Sequence, residues 1–451
     1  MPLSYRGCAR ELLQVKGIED YDLIRIIRRD GVELSGILIP RAKLEDDKHI
    51  VLKLRNGYNV GISIESISEI ELLSKRGEIR KEKGKITHEI PVGKLPRVPL
   101  IVTGGTITSK VDYATGAVKP YERPEELLDL IPEISEIANL SYIPLMSIFS
   151  ENMTAEQWIR IAKEVEKEIN SGSEGVIIAH GTDTMHFTAA ALSFLLEGLF
   201  KPVILVGAQR SIDRPSTDAV LNLFSAVKMA VEGPIAESMI VMHGSPSDDY
   251  AYAIRGVRAR KMHTSRRDAF LSINEPPLAK ITRKSIEIIN KSYNKKHMKG
   301  EVKATEKMQD KVALIYSWPG ISPDFLDFIV EKRYVGLILA GTGLGHVPTV
   351  LIPKIRELTR DGIPVVMTSQ CLFGRTNLNV YETGRLLLDA GVISVGDMLP
   401  EVALVKLMYV MGKTSDMEEI KKMMGENLRG EISKFLSITA FPPGDVSNVR
   451  L

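Results

Sequence analysis

Three stretches of the sequence place hydroxyls beside glycines directly after an apolar run. Thr103-Gly104-Gly105-Thr106-Ile107 follows Ile101-Val102, His180-Gly181-Thr182-Asp183-Thr184 follows Ile177-Ile178-Ala179, and Gly341-Thr342-Gly343 follows Ile338-Leu339-Ala340. Open α/β sheets bind ligands beyond the carboxyl ends of their strands, so polar residues just after such runs are where a site is expected. Gly104 and Gly105 permit backbone conformations closed to residues with a Cβ and let a substrate approach the main chain. Backbone N–H groups exposed there would form an oxyanion hole. Threonine is a weak nucleophile at neutral pH and needs a neighbouring base. Tyr113, shortly after Thr106, is one candidate, and Lys261, within the cation-rich 255–267 (RGVRARKMHTSRR), is another. A lysine acts as a base only when burial or nearby cations lower its pKa. Asp183, next to Thr182, is placed to orient Lys261 or to accept a substrate amino group.

Each feature also has an ordinary structural reading. A lone T-G-G-T is a turn, a run of cations is a solvated face, and Asp183 suits the N-cap of a helix. Other chemistries find less support. The third glycine of a dinucleotide fingerprint is missing and no G-x-x-x-x-G-K-[ST] phosphate loop occurs. No G-x-S-x-G elbow is present. His180, His243 and His346 follow strands but lack metal-ligand spacing, so they read as turn or core residues and no metal site is expected.

The elements that would position these residues fall into three pieces. Residues 23–28, 34–39, 50–54 and 60–64 read as short strands bounded by turn signals, with Asn56-Gly57 as a hairpin turn. They predict a small all-β domain, a barrel or sandwich, over about 1–90. The charged stretch 75–85, followed by Pro91, Pro96 and Pro99, reads as a linker. Beyond it, continuous apolar runs at 99–102, 175–179, 202–206, 239–242, 312–316, 336–340 and 364–367 fit strands buried on both faces of a parallel sheet. Helical patterns separate them: Thr154-x-x-Gln157 is a capping box opening a helix to about residue 170, and 184–199 and 216–231 carry helical spacing. The alternation predicts an α/β fold with crossover connections. The polar segment 290–310 reads as an exposed connection, which divides this part into α/β domains over 91–290 and 311–451.

Composition narrows the class. The 451 residues suggest two to three domains. A formal net charge of +2 argues against a strongly electrostatic nucleic-acid binder. Two cysteines, Cys8 and Cys371, supply neither a disulfide framework nor a zinc site by themselves. No apolar run is long enough to span a bilayer, and the N-terminus lacks a signal-peptide core, which together predict a cytoplasmic protein with no membrane association. Scarce glutamine with abundant lysine and glutamate suggests a thermophile.

In combination the motifs carry a resemblance. TGGTI near the start of an α/β domain, HGTDT further on and Lys261 after the fourth strand resemble the type I/II L-asparaginases over about 98–451. The resemblance implies an asparaginase-like two-domain α/β core and roles residue by residue. Thr106 matches the nucleophile, Tyr113 the mobile-loop tyrosine, and Thr182, Asp183 and Lys261 the second catalytic group. Ser150 and Glu151, in FSENM, match the pair that holds the substrate's α-carboxylate and α-amino groups, with glutamate where many asparaginases carry glutamine, and Gly105 lies against the substrate. Thr106 would attack a side-chain amide carbon, ammonia would leave, and water would release the acyl-enzyme. The extra N-terminal domain, with NVYETGRLLLDAGVISVGD at 379–397, resembles the D subunits of archaeal glutamyl-tRNA(Gln) amidotransferases over essentially the whole chain. That implies hydrolysis of glutamine (or asparagine) as ammonia donor, transfer of the ammonia to a partner, the E subunit, that binds ATP, Mg and most of the tRNA, no cofactor in this chain, and a homodimer within a heterotetramer. The competing expectations are a free-standing L-asparaginase with an appended domain, and a catalytically silent adaptor.

Overall fold

The computed structural model describes residues 3–41, 46–54, 59–75, 95–112, 117–120, 131, 133–211 and 217–436. Tyr113, Asn56-Gly57 and the expected linker from 76 to 94 lie outside them, whereas Pro99, expected at the linker's end, falls within the strand Arg97–Val102.

The first unit pairs a helix, α1 (Gly7–Val15), with five strands: β1 (Leu23–Arg28), β2 (Glu33–Leu38), β3 (His49–Leu54), β4 (Asn59–Ser63) and β5 (Ile67–Ser74). They form one antiparallel sheet in the order β4-β3-β2-β1-β5. Strand alternation turns Ile24, Ile26, Leu38, Ile50 and Leu52 to a common core, where Ala9 and Leu13 of α1 join them. The unit is therefore not all-β. The helix escaped the sequence because it buries only two residues and opens at Arg6 without a side-chain cap. Among the described residues the sheet order does not join β4 to β5, so the sheet is open there rather than closed into a barrel.

The chain then lays down β6 (Arg97–Val102), a hairpin of β7 (Ser109–Asp112) and β8 (Ala117–Pro120), the short α2 (Ile134–Ile137), β9 (Asn139–Pro144), α3 (Ala155–Asn170) and β10 (Val176–Ala179). Gln157 Oε1 accepts from Thr154 N at 3.1 Å, which is half of the capping box expected at the start of α3. There follow α4 (Met185–Leu195), β11 (Leu196–Glu197), β12 (Val203–Val206), α5 (Ala219–Glu232), β13 (Ser238–His243), β14 (Ala251–Arg255), β15 (Ala259–Lys261), β16 (Phe270–Ser272), β17 (Ala279–Ile281), β18 (Ile286–Ile288) and β19 (Lys303–Ala304). Eight of these strands form one sheet, ordered β18-β17-β14-β13-β12-β10-β6-β9. Strands β9, β6, β10, β12 and β13 are parallel, and β14, β17 and β18 extend the sheet antiparallel. The expected parallel sheet is thus a mixed one. In β10, Ile177 and Ala179 enter the core on one face while Val176 and Ile178 enter the core on the other, as a continuous apolar run requires.

Two expectations need correcting. The helix read over 184–199 closes at Leu195, because Leu196–Glu197 pair with Lys303–Ala304 instead. The segment read as an exposed connection is consequently held along the first α/β unit: Val302 and Ala304 are buried, and Ala236 N donates to Asn294 O.

The last unit is a four-stranded parallel sheet, β20 (Val312–Tyr316), β21 (Gly336–Gly341), β22 (Val365–Ser369) and β23 (Ile393–Ser394), with helices α6 (Asp324–Glu331), α7 (Ile352–Arg360), α8 (Glu382–Asp389), α9 (Pro400–Lys413) and α10 (Met417–Gly425). Helix α9 packs against α4 of the preceding unit, and Phe194 stacks on Tyr409 with ring centroids 5.7 Å apart. The two α/β units therefore share one continuous core.

Candidate active site

The sheet order decides where a site can form. From β6 the chain moves outward to β9, then crosses back to β10 on the other side of β6. Such a reversal opens a crevice between β6 and β10 at their carboxyl ends. The loops that begin there are Thr103–Thr106 and His180–Asp183.

The two loops are fastened together. Thr103 is fully buried and donates both N and Oγ1 to Ala179 O, at 3.0 and 2.9 Å. Gly104 and Gly105 have φ of 120° and 93°, a region that L side chains rarely adopt. A Cβ on Gly104 would stand 2.4 Å from Ile148 O, and one on Gly105 would stand 2.6 Å from Gly181 N. Both glycines are thus required by conformation and by close approach. They deliver Thr106, half-buried, to the start of the 3-10 turn Thr106–Thr108 beside the second loop.

In that second loop Lys261 Nζ donates to Thr182 Oγ1 at 2.8 Å and to Asp183 Oδ1 at 2.7 Å. The lysine side chain is 8% exposed and that of Asp183 70%, so the ammonium is shielded while the carboxylate faces outward. Asp183 is not a helix cap. Thr184 holds the N-cap position of α4 and its Oγ1 donates to Ser150 O at 2.5 Å. Ser150 is buried in the 3-10 turn Ser150–Asn152 and touches the same loop, since a Cβ on Gly181 would lie 2.8 Å from Ser150 Cβ. Glu151, next to it, is exposed. The structure therefore gathers Gly105, Ser150, Thr182, Asp183 and Lys261 around the ends of β6 and β10.

The basic run 255–267 is a solvated face only in its second half: 255–261 are buried or half-buried, and 262–266 are exposed. Arg255 pairs with Glu237 and Glu275, Arg258 with Asp397, Arg260 with Glu401, Arg266 with Asp268 and Arg267 with Asp248. Each of these cations has a carboxylate of its own.

Two further residues join the site. Gln209, after β12, lies with its Oε1 3.5 Å from Thr182 Oγ1, and its backbone N donates to both carboxylate oxygens of the buried Asp218. The signal was Gly207-Ala208-Gln209 at the end of an apolar run, the rule that selected the other two loops. Behind Thr182, burial pushes the ring of His180 down to about 4 and that of His186 down to about 3, with Arg260 and Lys261 adding to the effect on His186. Both rings are neutral at pH 7. Among the described residues no group of His, Cys, Asp and Glu could hold a metal ion, and His243 is instead bonded to Asn222 and Asp248.

Sequence comparison adds a family to this geometry. Residues 97–294 match the family described as Asparaginase, N-terminal, and residues 311–424 match the Glutaminase/Asparaginase C-terminal domain. Residues 18–73 match the GatD N-terminal domain. The chain is 53% identical over 435 residues to the D subunit of the glutamyl-tRNA(Gln) amidotransferase of Pyrococcus furiosus, covering 96% of this chain and 99% of that one. It is 47% identical over 457 residues to the Methanopyrus kandleri protein of the same description, covering 99% of each. The chain belongs to the family of glutamyl-tRNA(Gln) amidotransferase D subunits. Among solved structures it is similar to the thermostable L-asparaginase from Thermococcus kodakarensis, with a TM-score of 0.67 and 32% identity, over 75% of this chain and 99% of that one. L-asparaginase I from Vibrio cholerae gives the same values. Membership of the D-subunit family thus accounts for the remaining quarter, which the asparaginases lack and which contains the helix and five-stranded sheet.

Proposed function

We propose that this chain is the glutamine-hydrolysing component of an amidotransferase that converts Glu-tRNA(Gln) to Gln-tRNA(Gln). Thr106 attacks the side-chain amide carbon of glutamine, its hydroxyl proton passes to the departing nitrogen, and ammonia leaves an acyl-enzyme. Water then attacks the ester carbon, the bond to Thr106 Oγ breaks, and glutamate is released with the threonine re-protonated. Thr182, held by Lys261, activates that water or shares the proton of Thr106. Ser150 and Glu151 hold the α-carboxylate and α-amino groups, Gly105 lies against the substrate, and Tyr113 assists the nucleophile. The observation that carries the reading is Lys261 bonded at once to Thr182 and Asp183, in a chain whose full length aligns with D subunits.

No phosphate-loop motif appears in the sequence, so ATP and Mg belong to a partner, the E subunit, which also holds most of the tRNA. The near-neutral charge of this chain supports that division. The assembly we propose is cytoplasmic, a homodimer of this chain within a heterotetramer. No helix among the described residues is long and apolar enough to cross a membrane.

The test is ammonia release from glutamine and from asparagine by the purified chain, with and without its E-subunit partner and glutamyl-tRNA, alongside Thr106→Val and Lys261→Ala. Weak glutaminase activity that rises with partner and tRNA, and falls to the background of binding alone in either variant, is the expected result. Strong partner-independent asparagine hydrolysis would replace the proposal with a free-standing asparaginase. Full activity in a folded variant would overturn the site.

A further inference from the structure

Lys261 sits on a strand whose neighbouring arginines are anchored in the other α/β unit. Arg258 is among the most buried side chains of the protein. It donates to Asp397 Oδ2 at 2.9 Å, to Gly430 O at 2.8 Å and to Ser433 Oγ at 2.7 Å. Arg260 bonds Glu401, whose carboxylate is buried. Arg258 stands in the turn just before β15, and within the strand side chains alternate, so Arg260 projects to one side and Lys261 to the other. Asp397 lies just before α9 and Glu401 falls in its first turn. The entrance of one helix thus grips the strand through the two arginines nearest the lysine. Asn274 adds a third tie: its Nδ2 donates to Asp397 O at 3.2 Å, while Ile273 N donates to Arg258 O at 2.9 Å.

Buried ion pairs contribute little net stability over apolar residues of similar volume, because desolvation offsets their attraction. Burial pushes the Glu401 carboxyl up, and its Oε1 has no hydrogen-bond partner. Two such pairs side by side are therefore poorly explained as stabilisers. What they do supply is a fixed position, since a carboxylate and a guanidinium meet in a narrow range of geometries.

We infer that Arg258–Asp397 and Arg260–Glu401 form a clamp that sets Lys261 against Thr182, so that the C-terminal α/β unit controls turnover although it carries none of Thr106, Thr182, Asp183 and Lys261. All four arms of the clamp are positioning residues. The inference rests on the role proposed above for Lys261.

Four variants of the full chain test it: Glu401→Gln and Asp397→Asn, which keep shape and remove charge, and Arg260→Lys beside Arg260→Met. Glutamine hydrolysis and backbone hydrogen exchange across 256–273 are measured for each. The two carboxylate variants are expected to lower kcat by about tenfold or more with KM little changed, since a displacement of ~1 Å costs rates of that order. Exchange across β15 and β16 speeds up in both, and Arg260→Lys recovers part of what Arg260→Met loses. Lys201→Met breaks another buried pair, with Glu174 at 3.1 Å, far from this strand in the sequence and not bonded to it. It lowers Tm with neither effect. Unchanged kcat and exchange in folded Glu401→Gln and Asp397→Asn overturn the clamp, as does the same response in Lys201→Met. If the unmodified protein releases no ammonia with partner and tRNA present, the functional proposal falls, and exchange alone decides the clamp.

Discussion

Trp158 Nε1 donates to Thr188 Oγ1 at 3.0 Å, Thr188 meets His180 Nε2 at 2.9 Å, and His180 Nδ1 meets Gly181 O at 2.7 Å. A carbonyl only accepts, so Nδ1 carries the hydrogen and Nε2 accepts from the threonine hydroxyl. The relay runs from α3 through α4 into the loop of Thr182, and every member is satisfied only while the ring is neutral. Burial holds the pKa of His180 at about 4, below the 6.5 of an unperturbed ring. The unfolded chain therefore binds a proton below pH 6.5 that the folded chain refuses. Stability is complete above about 6.5, declines as pH falls, and levels off once pH passes below the folded value. For this ring the loss between pH 7 and pH 5 is roughly 2 kcal/mol. His180→Asn keeps a donor for Gly181 O and removes the titration. It should be less stable at pH 7, yet lose less on going to pH 5 than the unmodified protein does, in urea unfolding followed by circular dichroism. Equal losses in the two proteins would mean that His180 is not the proton site.

At the scale of elements, the turn after β6 and the start of the loop after β10 are one packed unit, and Gly105 is where they touch. Gly105→Ala must accept a positive φ, costing about 1–2 kcal/mol. It must also move backbone, because the new Cβ would meet Gly181 N at 2.6 Å and nothing flexible can yield there. Thr106 follows immediately, so kcat should fall by about 10²-fold while the protein stays folded. Activity near that of the unmodified chain would show that this contact does not fix the nucleophile. Much of this arrangement was legible beforehand. Runs such as Ile177-Ile178-Ala179 announce a strand buried on both faces, and the polar residues after them announce the loops. The motifs then singled out Thr106, Thr182, Asp183 and Lys261, of which the last three are joined by hydrogen bonds in the fold. What was not legible depends on partners remote in sequence. The antiparallel edge β14, β17 and β18 consists of strands of three to five residues, too short to show a period. Arg258 and Arg260 read as surface cations because Asp397 and Glu401 lie well over a hundred positions away, and only the fold makes them neighbours.

The whole molecule divides by its cores rather than by its sheets. Tyr5, Leu13, Ile24, Ile26, Leu38, Ile50 and Leu52 are buried among themselves, in a cluster separate from those of the α/β units. Tyr5 ties that cluster together, its hydroxyl donating to Ile39 O at 2.7 Å and accepting from Val51 N at 3.0 Å. The α/β units have no such separation, since Phe194 and Leu195 of α4 share a cluster with Val402, Leu407 and Tyr409 of α9. Glu197 also takes bonds from Tyr409 and Lys413 across that boundary. A chain of residues 95–451 should therefore fold in one cooperative transition and hydrolyse glutamine with kcat within about threefold of the full chain, because a unit with its own core contributes little to a site outside it. Residues 95–294 and 311–451 made separately should not fold, because each would expose to water the face that the other covers. Calorimetry and ammonia release on the three fragments check both statements. Independent folding of 311–451 would contradict the shared core. A folded 95–451 without glutaminase activity would place part of the site in the N-terminal unit, and the quarter of the chain absent from the asparaginases would then be catalytic machinery rather than an attachment to it.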